Sequence, residues 1–408
     1  MATNSTCQKA MKSRLPIPSG YAYGENDLLL PTSLAYRSSQ SCATQRGDSN
    51  ISAPAAFEVP ASSLAAAPRR RSRSSRVLQV YDPSDVQEME DSLEGMSRNN
   101  ERRRNCDAMI RQLRKSAPVG QRVLARVPGN FQRQLDQLET EMPNFRQVVD
   151  TVRRLLALQV AGDGSFYLPS MLLAGDPGVG KTYFAMRLAN IIGTGFDLVS
   201  MEGASSPMSL IGLEQHYYTS SPGKVFELLV QGQTANPVIV VDELDKASSE
   251  ARFPPANALY QLLESETAKR FCDQSCLHVK LDASRISWVV TANYLSAIPV
   301  PILSRLTKFH VPSPTRAERI QIASTVYRDL RRQMAWGKRF GPMLPQRTAR
   351  TLADVAGSVR PMKSLLRLAC ANAYLRKSSA VDPCDVEQAL RCAAPVPDLA
   401  QLKVGGSA

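Results

Sequence analysis

The spacing of hydrophobic positions changes character twice along the chain. Between residues 105 and 165, apolar side chains recur at helical spacing, as at Phe131, Leu135 and Leu138, which predicts two or three helices. Further on, short apolar runs alternate with helical stretches; the runs lie at 168–174, 196–200, 237–241, 286–291 and 308–311. This alternation predicts a parallel sheet covered by helices on both faces. Beyond residue 314 the pattern is helical again, over 316–330, 348–356, 362–376 and 383–392.

The first 104 residues have a different composition. They are rich in Ser, Ala, Pro and Arg and contain few aromatic residues, which predicts a largely disordered, basic and serine-rich tail. Its arginine cluster at 69–76 either binds an anionic partner or is simply solvated. The predicted organisation is a tail at 1–104, a helical linker at 105–165, an α/β domain at 166–312, a helical domain at 313–395 and a flexible tail at 396–408.

Length and composition narrow the class of protein. A chain of 408 residues with 43% hydrophobic content can bury the cores of two or three domains. No apolar run approaches the ~20 residues that cross a bilayer, so we expect no membrane partner. The N-terminus lacks the apolar region of a signal peptide, and the eight cysteines show no regular pairing. These features predict a cytoplasmic protein with reduced thiols.

The positive charge is unevenly distributed. The net charge is +13, yet residues 166–312 carry 11 basic and 13 acidic side chains. Residues 313–408 carry 16 basic and 7 acidic side chains. A basic segment can attract nucleic acid or acidic proteins, and it can equally be a solvated helix surface rich in arginine.

A glycine-rich segment between a predicted strand and a predicted helix fits G-x-x-x-x-G-K-[ST] in full. Its glycines let backbone N–H groups face phosphates, and the helix N-terminus favours anions. Lys181 would place its charge between the β- and γ-phosphates, and Thr182 would offer its hydroxyl to Mg²⁺. The segment therefore predicts an ATP site formed by Gly175, Asp176, Pro177, Gly178, Val179, Gly180, Lys181 and Thr182.

Two adjacent carboxylates follow the apolar strand at 238–241. Asp242 would hold Mg²⁺ together with Thr182, and Glu243 would polarise the attacking water as a general base. Two acids at a strand end are common on surfaces, but their combination with the phosphate loop is specific. Because Glu243 is present, we predict hydrolysis as well as binding of ATP.

These two motifs lie in a longer stretch that resembles the ATPase core of Lon-type AAA+ proteins. Residues 236–246 (NPVIVVDELDK) match the family's segment almost residue for residue, and residues 255–264 match the helix that follows it. The resemblance covers roughly residues 165–375. It implies a five-stranded parallel αβα sandwich with a C-terminal helical lid and the nucleotide between them. The chain ends soon after the predicted lid, so we expect no protease domain.

Three further residues take their expected roles from this resemblance. Asn293 ends an apolar strand similar to the family's sensor 1 strand and would orient the lytic water. Arg305 lies in a segment similar to the family's arginine-finger helix and would reach a neighbouring subunit's nucleotide, worth about 10³–10⁵ in rate in related systems. Arg360 resembles the sensor 2 arginine that contacts the γ-phosphate, although Pro361 after it departs from the family pattern.

A pair of tyrosines occupies the position of the family's substrate-gripping loop. Tyr217 and Tyr218 precede a Pro-Gly-Lys turn at 222–224 and are followed by Thr219 and Ser220 in place of the family's small residues. The tyrosines would stack on an extended polypeptide and push it, or they are core residues.

The leading hypothesis is an ATPase ring, a hexamer, that remodels or unfolds protein substrates. A ring follows from the need to donate Arg305 to a neighbour. The alternative is a nucleic-acid-linked ATPase of the clamp-loader or helicase-loader type, supported by the basic segments. A third possibility is a slowly hydrolysing scaffold, against which the presence of Glu243 and Arg305 counts.

Overall fold

The structure is a computed structural model that describes residues 21–23, 29–31, 76–97, 100–115, 118–202, 208–214, 220–247 and 255–392. It divides into two units, residues 1–72 and 73–408. In the first, strands β1 (Tyr21–Tyr23) and β2 (Leu29–Pro31) form an antiparallel pair. The second contains β3 (Val77–Gln79), α1 (Pro83–Asp91), α2 (Glu101–Arg114), β4 (Gln121–Val123), α3 (Phe131–Glu141), α4 (Arg146–Ala161), β5 (Met171–Ala174), α5 (Lys181–Ile192), β6 (Phe196–Ser200), α6 (Met208–Ile211), α7 (Lys224–Phe226), β7 (Val238–Asp242), α8 (Asn257–Leu262), α9 (Ser265–Ala268), β8 (Phe271–Asp273), β9 (Cys276–Leu281), β10 (Ser287–Ala292), α10 (Val300–Leu303), β11 (Thr307–His310), α11 (Arg316–Gln333), α12 (Gln346–Val355), α13 (Val359–Leu375) and α14 (Pro383–Cys392).

Five parallel strands form the central sheet. Their order is β11-β5-β10-β7-β6, and every neighbouring pair is parallel. The three inner strands, β5, β10 and β7, are buried almost throughout, as expected of a sheet covered by helices on each side, whereas the edge strand β11 exposes Thr307, Lys308 and His310. The predicted α/β class, the five strands and the parallel sheet are confirmed.

Two hydrophobic cores cover the two faces of the sheet. One joins α3, α4 and α5 to alternate strand residues, and Phe145 stacks on Phe184 with ring centroids 4.3 Å apart. The other joins the opposite strand residues to α8, the β8–β9 hairpin and the segment from β3 to β4. The arrangement is an αβα sandwich, and it places the carboxyl ends of β5, β10 and β7 side by side.

Part of the region that the composition predicts to be a disordered tail, the part from β3 onward, is folded. Strand β3 pairs with β4, and α1 and α2 bury apolar side chains such as Met89 and Leu113 completely. The expected boundary at residue 104 is therefore too late; β3 and α1, of three and nine residues, leave little periodicity in the sequence before it. Of residues 1–75, the structure describes only β1 and β2, and the predicted tail at 396–408 lies outside the described residues.

A helical lid follows the sheet. Helix α11 begins with a capping box, in which the Thr315 side chain accepts from Glu318 N and the Glu318 carboxylate accepts from Thr315 N at 2.7 Å. Helices α11 to α14 share a core of their own, including Leu352, Leu366 and Ala389. Among the described residues, no helix has the length and hydropathy needed to cross a membrane.

Candidate functional site

The phosphate loop connects β5 to α5 at the centre of the sheet edge. Gly178 and Gly180 adopt φ of +84° and +102°, a conformation that favours glycine. Space is also limited there, because a Cβ on Gly180 would lie 2.8 Å from Met142 Cε. The loop can therefore turn its backbone N–H groups inward toward an anion at the start of α5.

Lys181 is held at the mouth of this loop. Its ammonium donates to the carbonyl oxygens of Gly175 (2.7 Å) and Asp176 (2.9 Å) and to Asn293 Oδ1 (2.8 Å). The residue is 7% exposed, and burial lowers the pKa of Lys181. Asn293 thereby joins the end of β10 to the phosphate loop, and its role beside the γ-phosphate stays a prediction.

Asp242 lies opposite the loop at the end of β7. Its Oδ1 accepts hydrogen bonds from Thr182 Oγ1 and Thr291 Oγ1, both at 2.6 Å. The predicted metal pair, Thr182 and Asp242, is thus brought together across 60 residues of chain. Thr291 was not predicted; a threonine inside an apolar strand is an ordinary β-former and gives no sequence signal.

Glu243 has an unusual backbone conformation and an ion-pair partner. It adopts φ 55° and ψ 50°, which is uncommon for a residue with a side chain and is found preferentially at functional sites. Its backbone N donates to Thr291 Oγ1 at 3.0 Å, which helps to hold this conformation. Its carboxylate lies 2.9 Å from Lys246 Nζ, and Lys246 also bonds Glu202 at 2.7 Å.

The Glu202–Lys246–Glu243 contacts place two carboxylates on one ammonium beside the site. The bond to Glu202, followed by that to Glu243, raises the pKa of Lys246, and the bond from Lys246 lowers the pKa of Glu202. Sequence reasoning missed this pairing. The only indication in the sequence was that Lys246 lies about one helical turn after Glu243.

A cavity of about 670 Å³ opens between the sheet edge and the lid. Lys181, Asp242, Glu243 and Asn293 line one end of it. Helix α13 contributes three basic residues, two of which were not predicted: Arg360, Lys363 and Arg367. The cavity can therefore hold a long anion between the phosphate loop and positively charged side chains of the lid.

The end of the cavity that faces α3 and α11 has a mixed lining. The apolar Met142, Ile322, Val326 and Leu330 lie there together with the polar Thr325 and Asp329. Asn144, 5% exposed, connects this end to the loop, since its Nδ2 donates to Val179 O (3.4 Å) and Pro312 O (3.2 Å). A planar base fits such surroundings better than a phosphate does.

Arg305 does not line this cavity. It follows α10, and it bonds Glu264 (Nε to Oε2, 3.1 Å) and Pro301 O (Nη1, 2.8 Å) on the surface of its own subunit. Its role as an arginine finger stays a prediction. Tyr217 and Tyr218 lie outside the described residues.

The donor set fits ATP with Mg²⁺. The hydroxyl of Thr182 and the carboxylate of Asp242 are oxygen donors of the kind Mg²⁺ prefers, within bonding distance of each other. The ammonium of Lys181 and the glycine cradle fit phosphate oxygens. A parallel αβα sandwich with this loop and this acidic strand end defines the P-loop NTPase class.

Comparison with known proteins narrows the class. Residues 171–313 match the model of the "ATPase family associated with various cellular activities (AAA)". The chain is 36% identical over 155 residues to the Lon protease of Desulfovibrio desulfuricans, which covers 38% of this chain and 18% of that protein. It is 30% identical over 186 residues to Lon protease 2 of Herpetosiphon aurantiacus, covering 46% of this chain and 23% of that one. The chain thus spans about a fifth of the length of these relatives.

Among solved structures, the RuvB Holliday junction branch migration motor of Thermotoga maritima matches 60% of this chain and 68% of its own, with 17% identity and a TM-score of 0.41. The predicted resemblance is confirmed by the family match and the Lon relatives. Residues 171–313 match the AAA family model, and this core is similar to that of Lon proteases.

Proposed function

We propose that this protein is an ATP-driven motor that remodels or unfolds other proteins, working as a cytoplasmic ring. The observation that carries the ATPase part is the convergence of Lys181, Thr182, Asp242, Glu243 and Asn293 on one cavity. These residues come from three segments of the chain, and a purely structural role would not require all of them at one edge of the sheet.

Each residue has a distinct task in hydrolysis. Lys181 and the loop N–H groups would bind the phosphates, and Thr182 and Asp242 would hold Mg²⁺, which would supply positive charge to neutralise the phosphates. Glu243 accepts a proton from the attacking water, a contribution of about 10²–10⁴ in rate. Asn293, fixed against Lys181 at 2.8 Å, orients that water.

Two arginines complete the site from opposite sides. Arg360, at the start of α13, would contact the γ-phosphate and make the lid respond to nucleotide state. Arg305 would leave Glu264 and reach the nucleotide of a neighbouring copy, which requires a ring; a hexamer is our proposal. Mixing Arg305→Ala with Lys181→Ala protein tests this, because ATPase activity recovers in mixed rings if the finger acts in trans.

The proposed substrate is a polypeptide that Tyr217 and Tyr218 grip. Support comes from the position of the pair relative to the Pro-Gly-Lys turn and from the relatives, which are named as proteases. The test is ATP-driven unfolding of a tagged substrate. Tyr217→Ala should retain ATPase activity and lose unfolding; unfolding equal to wild type would defeat the assignment.

The second candidate is a nucleic-acid-linked ATPase. The excess of basic over acidic residues in 313–408 favours it. Stimulation of ATPase activity by DNA that weakens steeply with salt would support this reading. No stimulation by DNA, together with capture of protein partners by a Glu243→Gln variant, would exclude it.

A further inference from the structure

A narrow neck joins the two ends of the segment at residues 213–222. The backbones of Gly212 and Gly223 lie directly against each other, since a Cβ on Gly223 would overlap Gly212 N and Leu210 O. Leu213 N donates to Ser221 O at 2.9 Å, next to this contact. The described residues on either side of Tyr217 and Tyr218 in the sequence are therefore held together at one point.

The carboxylate of Asp273 closes this neck. Asp273 is fully buried, and its Oδ2 accepts from Gly223 N at 2.9 Å. Its Oδ1 accepts from Ser275 N (3.0 Å) and Ser275 Oγ (2.5 Å). Gly212, at φ +81°, passes so close that a Cβ there would overlap Asp273 Oδ1. The same turn donates Gln274 N to Ile211 O at 2.7 Å, so both arms of the segment are bonded to it.

The turn belongs to the β8–β9 hairpin, which is itself firmly supported. The segment from β3 to β4 packs along β9: Cys276 Sγ lies 3.7 Å from Met89 Sδ, and Lys280 N donates to Asp85 Oδ2 at 3.0 Å. Beyond the strand, Asp282 N donates to Val80 O at 2.6 Å. Asp273 thus fastens the neck to an anchored hairpin.

An ordinary turn does not require a buried carboxylate, which is energetically unfavourable. Taking its charge out of water costs several kcal/mol unless bonds offset it. Within the described part of the chain Asp273 has no ion-pair partner, and its donors are Gly223 and Ser275. The two hydrogen bonds from Ser275 to Oδ1 would be enough to hold the hairpin turn. The bond from Gly223 N to Oδ2 is the additional contact, and it holds the neck.

We propose that Asp273 is a positioning residue, which clamps the 213–222 segment to the β8–β9 hairpin so that movement of the domain is transmitted to the tyrosines. The inference rests on the proposed function of Tyr217 and Tyr218 as polypeptide contacts. It predicts that ATP hydrolysis and mechanical work can be uncoupled at a residue that touches neither nucleotide nor substrate.

Asp273→Asn removes the clamp selectively. Ser275 presents two donors and Gly223 one, so the amide oxygen stays with Ser275 and the amide nitrogen faces Gly223 N, donor against donor. Hydrogen–deuterium exchange at residues 212–214 and 220–223 should then rise at least about tenfold, because a bond to a charged acceptor is lost. Basal ATPase activity should stay within about twofold of wild type, and unfolding of a tagged substrate should fall at least about tenfold.

Asp85→Asn is the matched control, since Asp85 accepts a backbone N–H at the far end of the same hairpin without touching the neck. It should leave exchange at the neck and substrate unfolding unchanged. Should Asp273→Asn not fold, Gly212→Ala disturbs the same contact from the other side.

Unchanged exchange at the neck in Asp273→Asn would overturn the clamp. A second outcome would be that Asp273→Asn raises exchange at the neck but unfolds the tagged substrate normally, in an assay where Tyr217→Ala abolishes substrate unfolding. That outcome would overturn the positioning role of Asp273 and leave the proposed function intact. Wild-type protein that unfolds nothing would instead refute the proposed function, while the exchange measurement would still decide whether Asp273 holds the neck.

Discussion

The hydroxyl of Thr291 is the most informative single group to remove from the site. It donates to Asp242 Oδ1 at 2.6 Å and accepts from Glu243 N at 3.0 Å, so it supports the metal ligand and the general base together. Thr291 is buried, with 1% of its surface exposed, at the lining of the cavity. Thr291→Val keeps the shape of the side chain and the β-propensity of β10 while deleting both bonds.

The expected effect follows from those two bonds. A hydrogen bond to a charged acceptor contributes about 1.5–3 kcal/mol, and a buried N–H left without an acceptor costs about 1–3 kcal/mol. Freed from Thr291, Glu243 can relax from its left-handed backbone conformation and move its carboxylate from the attacking water. Since about 1.4 kcal/mol corresponds to a factor of ten, we expect kcat to fall about 10- to 100-fold.

The assay is steady-state ATP hydrolysis as a function of Mg²⁺ concentration, with ATP affinity measured separately by a fluorescent analogue. The variant should bind ATP within about threefold of wild type, because Lys181 and the loop are untouched. Thr325→Val is the matched control: Thr325 is also buried, at 7% exposed, and lines the same cavity, but it does not bond Asp242. A Thr291→Val protein with wild-type kcat and Mg²⁺ dependence would show that neither bond positions the catalytic groups.

Four other outcomes are expected. Lys181→Ala should abolish ATP binding in a filter or fluorescence assay, and retained binding would refute the phosphate-loop assignment. Glu243→Gln should bind ATP normally while its kcat falls about 10²- to 10⁴-fold, with Glu227→Gln as an acidic control outside the cavity. Burial raises the pKa of Asp273 to about 6 from 3.8, so the folded protein binds this proton more tightly than the unfolded protein does. The free energy of unfolding should therefore fall by up to about 3 kcal/mol as the pH rises from 4 to 6. Asp273→Asn lacks this titrating group, so the difference in stability between wild type and the variant should change over the same pH range. Leu366→Ala, in the lid core, should cost about 2–5 kcal/mol in denaturant unfolding; an unchanged midpoint would contradict tight packing of the lid.

The parts that the sequence predicted well are those encoded in contiguous residues. The phosphate loop, the acidic end of β7 and the lid helices each carry their own local pattern, and their bounds agree with prediction to within about three residues. Asn293 could be placed because it directly ends a strand. The order of the strands brings these local motifs to one edge, so the core of the site followed from the motifs.

The parts that were missed depend on contacts between distant segments. Thr291 meets Asp242 across 49 residues, and Glu202 meets Lys246 across 44. Neither threonine in a strand nor glutamate on a surface is unusual by itself, so no local pattern marks them. Asp273 is hidden for the same reason, since a turn-forming aspartate between two short strands is common.

Asn144 has a consequence for how the enzyme changes shape. Its side-chain amide touches the phosphate loop at Val179 and the connection into the lid at Pro312, while its own backbone belongs to the turn after α3. Any swing of the lid about that connection must stretch or rotate an amide that also grips the loop. Release of the hydrolysed nucleotide and reorientation of the lid should consequently favour each other, by about the 0.5–1.5 kcal/mol that one such hydrogen bond contributes.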